Sequence, residues 1–148
     1  MSDIETAVEL FRSGCACSQA LIGTYGPKYG LEKGLALRLS AGFAGGMRRA
    51  ETCGAVTGAY MALGLAYSGD ACGTAEGRKA TYAAVGSLSE QFIRRHGSLL
   101  CRELLCCDIS TPEGAKYAQA NSLFQTKCPE LVRSAAEILE GLVPPAEA

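Results

Sequence analysis

The chain has 148 residues, enough for one ordinary domain and too few for two comfortable ones. With 48% hydrophobic and 20% charged residues it belongs among globular rather than disordered chains. Fourteen basic residues against fifteen acidic ones leave a net charge of −1. Nothing in that balance points to nucleic acid or an anionic membrane surface as a partner.

The start, Met1 to Thr6, lacks the basic residues and long apolar stretch of a secretory signal. Ile4, Val8 and Phe11 then share one face, predicting a first helix near 3–12. Ser13-Gly14 breaks it from a second helix near 16–26, carrying Leu21 and Tyr25 and closed by Gly26-Pro27. A short helix near 33–41 leads into the glycine-rich segment Gly42 to Met47. A central helix follows, near 51–67. Its most apolar part, Cys53 to Tyr67, is about fifteen residues long, short of the roughly 20 a membrane span needs. Gly54, Gly58 and Ala62 recur every four residues there, with Ala55 and Ala59 beside them. Each glycine costs roughly 1 kcal/mol in a helix interior, so the pattern predicts a close backbone approach and puts this helix in the middle of a bundle.

Val85, Leu88 and Phe92 mark a long helix near 74–96, with Gly97 suited to cap it. Thr111-Pro112 starts another, and Cys128-Pro129 is predicted to start the last, striped by Leu131, Ala135, Ile138 and Leu139. No run alternates β-branched and polar residues as a strand would. The expectation is all-α: residues 1–148 as one helical bundle of about five to seven helices, with Val143 to Ala148 as a loose tail.

Eight cysteines is a high count. In a chain kept reduced in the cytoplasm, metal binding or redox turnover explains them better than a disulfide framework, although free cysteine also packs well as a small apolar residue. Four of them, Cys17, Cys53, Cys101 and Cys128, fall at or just inside predicted helix starts. The first helical turn presents unpaired N–H groups and a partial positive charge, which favour an anion. A thiol there loses its proton more readily, and the thiolate is both nucleophile and metal ligand. Arg48 and Arg49 lie just upstream of Cys53, so Cys53 is expected to be the most acidic of the four.

The run Ala41-Gly-Phe-Ala-Gly-Gly-Met47, followed by Glu51-Thr-Cys-Gly-Ala-Val-Thr-Gly58, resembles a bacterial and archaeal redox-active protein family of the C_GCAxxG_C_C type, with a CGAxxG motif and four characteristic cysteines. Gly14-Cys-Ala-Cys-Ser-Gln-Ala20 is similar to its first motif, Cys101-Arg-Glu-Leu-Leu105 to its third and Lys127-Cys-Pro-Glu-Leu-Val132 to its fourth. The resemblance spans nearly the whole chain. It implies that Cys17, Cys53, Cys101 and Cys128 are the functional cysteines, and it implies redox chemistry without naming a substrate. Cys15, Cys72, Cys106 and Cys107 fall outside the pattern. Cys15 can join Cys17 at one metal only if the helix starts after Cys15.

Gly45 and Gly46, followed by Arg48, can cradle an anion or cofactor phosphate, although the loop lacks the lysine and preceding strand of a phosphate loop. A tight turn serving helix packing explains them as well. His96, the only histidine, is expected to interact with the last carbonyls of its helix. Glu51, Glu103 and Glu130, beside three of the cysteines, complement helix dipoles or move protons. No Cys-x-x-Cys pair occurs.

Two function classes follow. One is a cytoplasmic redox protein working by thiol–disulfide exchange or through an iron–sulfur cluster on the four thiolates. The other is a non-catalytic module, either a closed zinc site or an interaction domain whose cysteines only pack. The expected partner is a redox protein, with no nucleic acid and no membrane insertion; self-association is left open.

Overall fold

The computed structural model describes residues 1–144, so the end of the expected tail, from 145 on, lies outside the described residues. The described residues carry eight α-helices: α1 (Asp3–Arg12), α2 (Cys17–Tyr25), α3 (Lys33–Ser40), α4 (Gly54–Tyr67), α5 (Lys79–His96), α6 (Cys101–Leu104), α7 (Pro112–Ala120) and α8 (Leu123–Leu142). That is one more than the expected five to seven; α6, which starts at Cys101 as expected, is only a single turn. Among the described residues there is no strand, only one isolated bridge between Thr52 and Leu100. No helix among them is long and apolar enough to cross a membrane.

The main core joins α1, α2, α4, α5 and α8 through Val8, Leu21, Ile22, Val56, Leu63, Leu88, Phe92 and Leu139. As its small residues predict, α4 is the middle element. A Cβ on Gly58 would stand 2.7 Å from the Ser18 carbonyl oxygen and 2.8 Å from Leu21 Cβ, so α2 lies directly on its backbone. The buried Ser18 hydroxyl donates to the Ser40 carbonyl at 2.9 Å, and the Gln19 amide to that of Leu37 at 3.0 Å, tying α3 to the other side of α2. A second, smaller apolar cluster gathers Ala50, Leu105, Ile109, Ala118 and Phe124 around Cys101 and Cys128. Cys53 is buried in the main core and Cys17 packs against it. The four cysteines thus divide between two apolar clusters.

One expectation fails. Cys128-Pro129 does not open the last helix; α8 begins six residues before Pro129, after Ser122, which takes a left-handed conformation (φ 56°). Proline at that position leaves the Gln125 carbonyl without its helical donor. The helix continues because its apolar face, Leu131 to Leu139, is buried along its length.

Candidate functional site

α2 begins at Cys17 because Gly14, at φ 118°, turns the chain sharply after α1 and Ala16 is extended. Gln19 reaches back so that its Oε1 accepts the Ala16 N–H at 2.9 Å. The first-turn amides of Cys17 and Ser18 therefore have no helical carbonyl to bond. Both lie close enough to the Cys17 sulfur to favour its thiolate form.

A third amide comes from the glycine loop. Gly45 (φ 61°), Gly46 (φ 63°), Met47 (φ 57°) and Arg48 (φ 60°) form a left-handed turn closed by the Glu51 N–H on the Gly46 carbonyl at 3.2 Å. This conformation costs an ordinary L-residue roughly 1–2 kcal/mol, so the turn depends on its surroundings to persist. Gly46 is required outright, since a Cβ there would lie 2.3 Å from the Glu51 nitrogen. Gly45 aims its N–H at the Cys17 sulfur. The glycine loop thus faces the Cys17 sulfur, and the Gly45 amide favours its thiolate form.

Cys53 and Cys101 are set side by side by backbone pairing. Around the Thr52–Leu100 bridge, the Cys53 N–H donates to the Leu99 carbonyl at 2.8 Å and the Cys101 N–H to the Glu51 carbonyl at 2.6 Å. Two helix starts distant in sequence are sewn together at the residues that bear the thiols. Cys128 reaches the same region from the second turn of α8.

All four sulfur-bearing residues line one cavity of about 220 Å³ between the two apolar clusters, with Phe11, Ile109, Phe124 and Leu131 as walls and Arg48 at its edge. A Cβ on Gly54 would meet the Cys17 Sγ at 2.4 Å, so only glycine after Cys53 lets the two cysteines approach. The Cys53 thiol donates to the Cys17 sulfur. That bond is the largest cause lowering the Cys17 pKa to about 6; the amides of Gly45, Ser18 and Cys17 add to it against the opposing effect of burial. Cys53 moves the other way, well above the ordinary thiol range, because it is the donor and is buried. Burial and the nearby Cys17 charge push Cys101 up to about 11 and Cys128 up to about 12.

Cys53 is therefore not the most acidic thiol. It is the N-cap of α4 with no side-chain capping bond, and it keeps its proton, hydrogen-bonding the Cys17 sulfur. Of the loop residues, Gly45 and Arg48 border the cavity, whereas Gly46 does not and acts by allowing the turn to close. Arg49 is exposed outside the cavity lining. The three glutamates are not at the cavity: Glu51 pairs with Arg102 at 3.0 Å, Glu103 accepts from Ser98 at 2.5 Å, and Glu130 lies 3.9 Å from Lys127. His96 bonds Ser134 at 2.8 Å, joining α5 to α8 rather than capping its own helix, and packs against Phe92 with the rings tilted at 44°.

Of the remaining cysteines, Cys72 and Cys106 are exposed. Cys15 does precede the helix start, as sharing a site with Cys17 demands, but it lines a separate groove with Arg12 and Gln125. Cys107 is the residue that sequence reasoning undervalued. It packs against the small cluster beside Cys101 and Cys128, and its charge would be felt at both. Only its position in the loop after α6 produces this, so no motif announces it.

A family model described as "Putative redox-active protein (C_GCAxxG_C_C)" matches residues 15–142, a span that contains all four cavity cysteines. Its name spells GCAxxG where this chain carries Cys53-Gly54-Ala55-Val56-Thr57-Gly58. No curated protein and no solved structure matches the chain.

Proposed function

The chain belongs to this redox-active family, and from that premise we propose that it carries out thiol–disulfide exchange with Cys17 as the attacking sulfur and Cys53 as the resolving one. The observation that carries this reading is the close approach of Cys17 and Cys53 on one cavity, where only glycine at position 54 leaves room for the Cys17 sulfur, together with a Cys17 pKa lowered to about 6. The Cys17 thiolate attacks one sulfur of a substrate disulfide, R–S–S–R, forming Cys17–S–S–R and releasing RS⁻. The departing RS⁻ takes the Cys53 proton. The Cys53 thiolate then displaces the second RS⁻ from Cys17, which leaves as thiol once protonated from solvent. Two electrons have moved from the cysteine pair to the substrate, leaving a Cys17–Cys53 disulfide. A redox partner protein in the cytoplasm restores the dithiol. Cys101 and Cys128 line the same cavity as thiols and exchange with the first pair once they approach it.

The test is oxidation of reduced protein with a limiting amount of a small disulfide, followed by peptide mapping. A Cys17–Cys53 disulfide formed first, and lost as a product in Cys53→Ala with Cys17 trapped as a mixed disulfide, is the expected result. A first disulfide that leaves out Cys17 overturns the assignment.

One observation favours a second reading. Four thiols on one cavity are the donor chemistry of an iron–sulfur cluster, or less aptly of zinc. Among the described residues, however, no three Cys, His, Asp or Glu side chains are grouped closely enough to hold one ion. A metal centre thus requires Cys101 and Cys128 to move toward the Cys17–Cys53 pair. Metal analysis and a visible spectrum of anaerobically purified protein decide between the two: a cluster absorbs in the visible, and zinc or free thiols do not.

A further inference from the structure

The cavity beside Cys17 has a size and a charge that narrow the class of its substrate. Dry apolar cavities of about 150 Å³ accept a benzene ring; this one, at about 220 Å³, has room for a ring or branched chain bearing substituents. Its walls are Phe11, Ile109, Phe124 and Leu131, so the body it fits is apolar.

One border residue breaks that pattern. Arg48 lines the cavity, and among the described residues no carboxylate lies within ion-pair reach of it, whereas Arg102 nearby is paired with Glu51 at 3.0 Å. Its Nη1 stands 3.0 Å from where a Gly45 Cβ would be, over the residue whose amide reaches the Cys17 sulfur. Its backbone is held at φ 60°, a conformation disfavoured for arginine. Arg48 is not among the groups that lower the Cys17 pKa, although its charge favours ionisation of Cys101.

Resting on the thiol–disulfide reading, we propose that the cavity seats a small disulfide with an apolar, ring-sized body and a carboxylate, the carboxylate pairing with Arg48 while the sulfur meets Cys17. Guanidinium and carboxylate match in geometry and charge. Both groups line the same cavity, so a carboxylate carried on the ring can face Arg48 while the sulfur faces Cys17. The electrons follow the exchange already written, with the small disulfide as R–S–S–R and its thiol as the product.

The test uses two aromatic disulfides on the reduced full-length protein at low salt, with modification of each cysteine followed by mass spectrometry. 5,5′-Dithiobis(2-nitrobenzoate) carries carboxylates; 2,2′-dithiodipyridine carries none. The quantity read is the ratio of the two rates at Cys17, divided by the same ratio at exposed Cys72. We expect this normalised ratio to exceed unity by about tenfold in the wild type. It should fall by about tenfold in Arg48→Gln, recover most of its value in Arg48→Lys, and decline as salt is raised. A ratio near unity in the wild type, or one unchanged by Arg48→Gln and by salt, overturns the substrate class while leaving the exchange chemistry in place. If neither probe modifies Cys17 ahead of Cys72, the exchange reading itself falls, and this inference with it.

Discussion

Cys53 hydrogen-bonds the Cys17 sulfur, so two cysteines 36 positions apart in sequence titrate as a coupled pair, with Cys17 lowered and Cys53 raised. Because that bond is the largest cause of the Cys17 acidity, removing it has a defined sign. In reduced, metal-free protein, alkylation of Cys17 by iodoacetamide should reach half its limiting rate near pH 6 and lead all other cysteines in mildly acidic solution. Cys53→Ala should shift that midpoint upward, toward the ordinary thiol range, while the amides of Gly45 and Ser18 keep it from arriving there fully. Labelling of Cys53 ahead of Cys17 at pH 6 would reverse the polarity assigned to the pair.

The glycines of α4 and α5 make a matched set. Gly58→Ala pushes a methyl into the Ser18 backbone at 2.7 Å and should destabilise the fold by about 1–3 kcal/mol, read as a lower urea midpoint. Gly86→Ala, at an exposed position of α5 with open space around it, should instead stabilise by about 0.5–1 kcal/mol. Gly54→Ala is the functional case. Its methyl would stand 2.4 Å from the Cys17 sulfur, so the sulfur must leave the Cys53 proton and the Cys17 midpoint must rise even where the fold survives. An alkylation profile unchanged in Gly54→Ala would show that the two sulfurs do not depend on this close approach.

The extra cysteines divide by position. Cys72, exposed in the loop before α5, should be replaceable by serine without effect on redox cycling or stability beyond about 0.5 kcal/mol. Cys107→Ser places a hydroxyl beside Cys101 and Cys128 in the small apolar cluster and should cost about 1 kcal/mol or more. It should also change how fast a second disulfide forms after the first. Equal behaviour of Cys72→Ser and Cys107→Ser in both measurements would place Cys107 outside the site.

The small residues of α4 made its central position legible, because a helix that accepts glycine every fourth residue needs a backbone against it, and α2 supplies one. The helix-start placement of Cys17 and Cys101 was legible for the same kind of local reason: Ser13-Gly14 and Gly97-Ser98 are breaks visible in the chain. Cys128 was misplaced because Cys-Pro reads as a helix start when only propensity is counted, while burial of Leu131 to Leu139 carries α8 through the proline. The acidity of the pair was read onto the wrong sulfur. Sequence showed arginines before Cys53, but which sulfur receives a proton depends on Gly45, whose left-handed turn points its amide at Cys17, and on Cys53 being buried. Those are tertiary facts with no local pattern.

The same assignments fix how stability depends on pH in the reduced protein. Cys17 has a folded pKa of about 6, below the unfolded value of about 8.5. Its contribution is therefore fully present above pH 8.5 and is lost as pH falls toward 6, because the unfolded chain then binds a proton that the folded chain refuses. Cys101 and Cys128 have folded values of about 11 and about 12, and Cys53 is raised as well. Their contribution is complete below pH 8.5 and is lost as pH rises, since the unfolded chain releases protons that the folded chain retains. Stability from the thiols should peak near pH 8.5 and fall more steeply on the alkaline side, where three groups act, than on the acidic side, where one does. Urea midpoints measured between pH 5.5 and 10 should trace that shape. Cys17→Ala should flatten the limb between pH 6 and 8.5 and also make the alkaline limb shallower, because the Cys17 charge helps to raise Cys53, Cys101 and Cys128, whereas Cys128→Ala should make only the alkaline limb shallower. Parallel profiles for the wild type and Cys17→Ala between pH 6 and 8.5 would mean that the folded protein does not hold Cys17 as a thiolate.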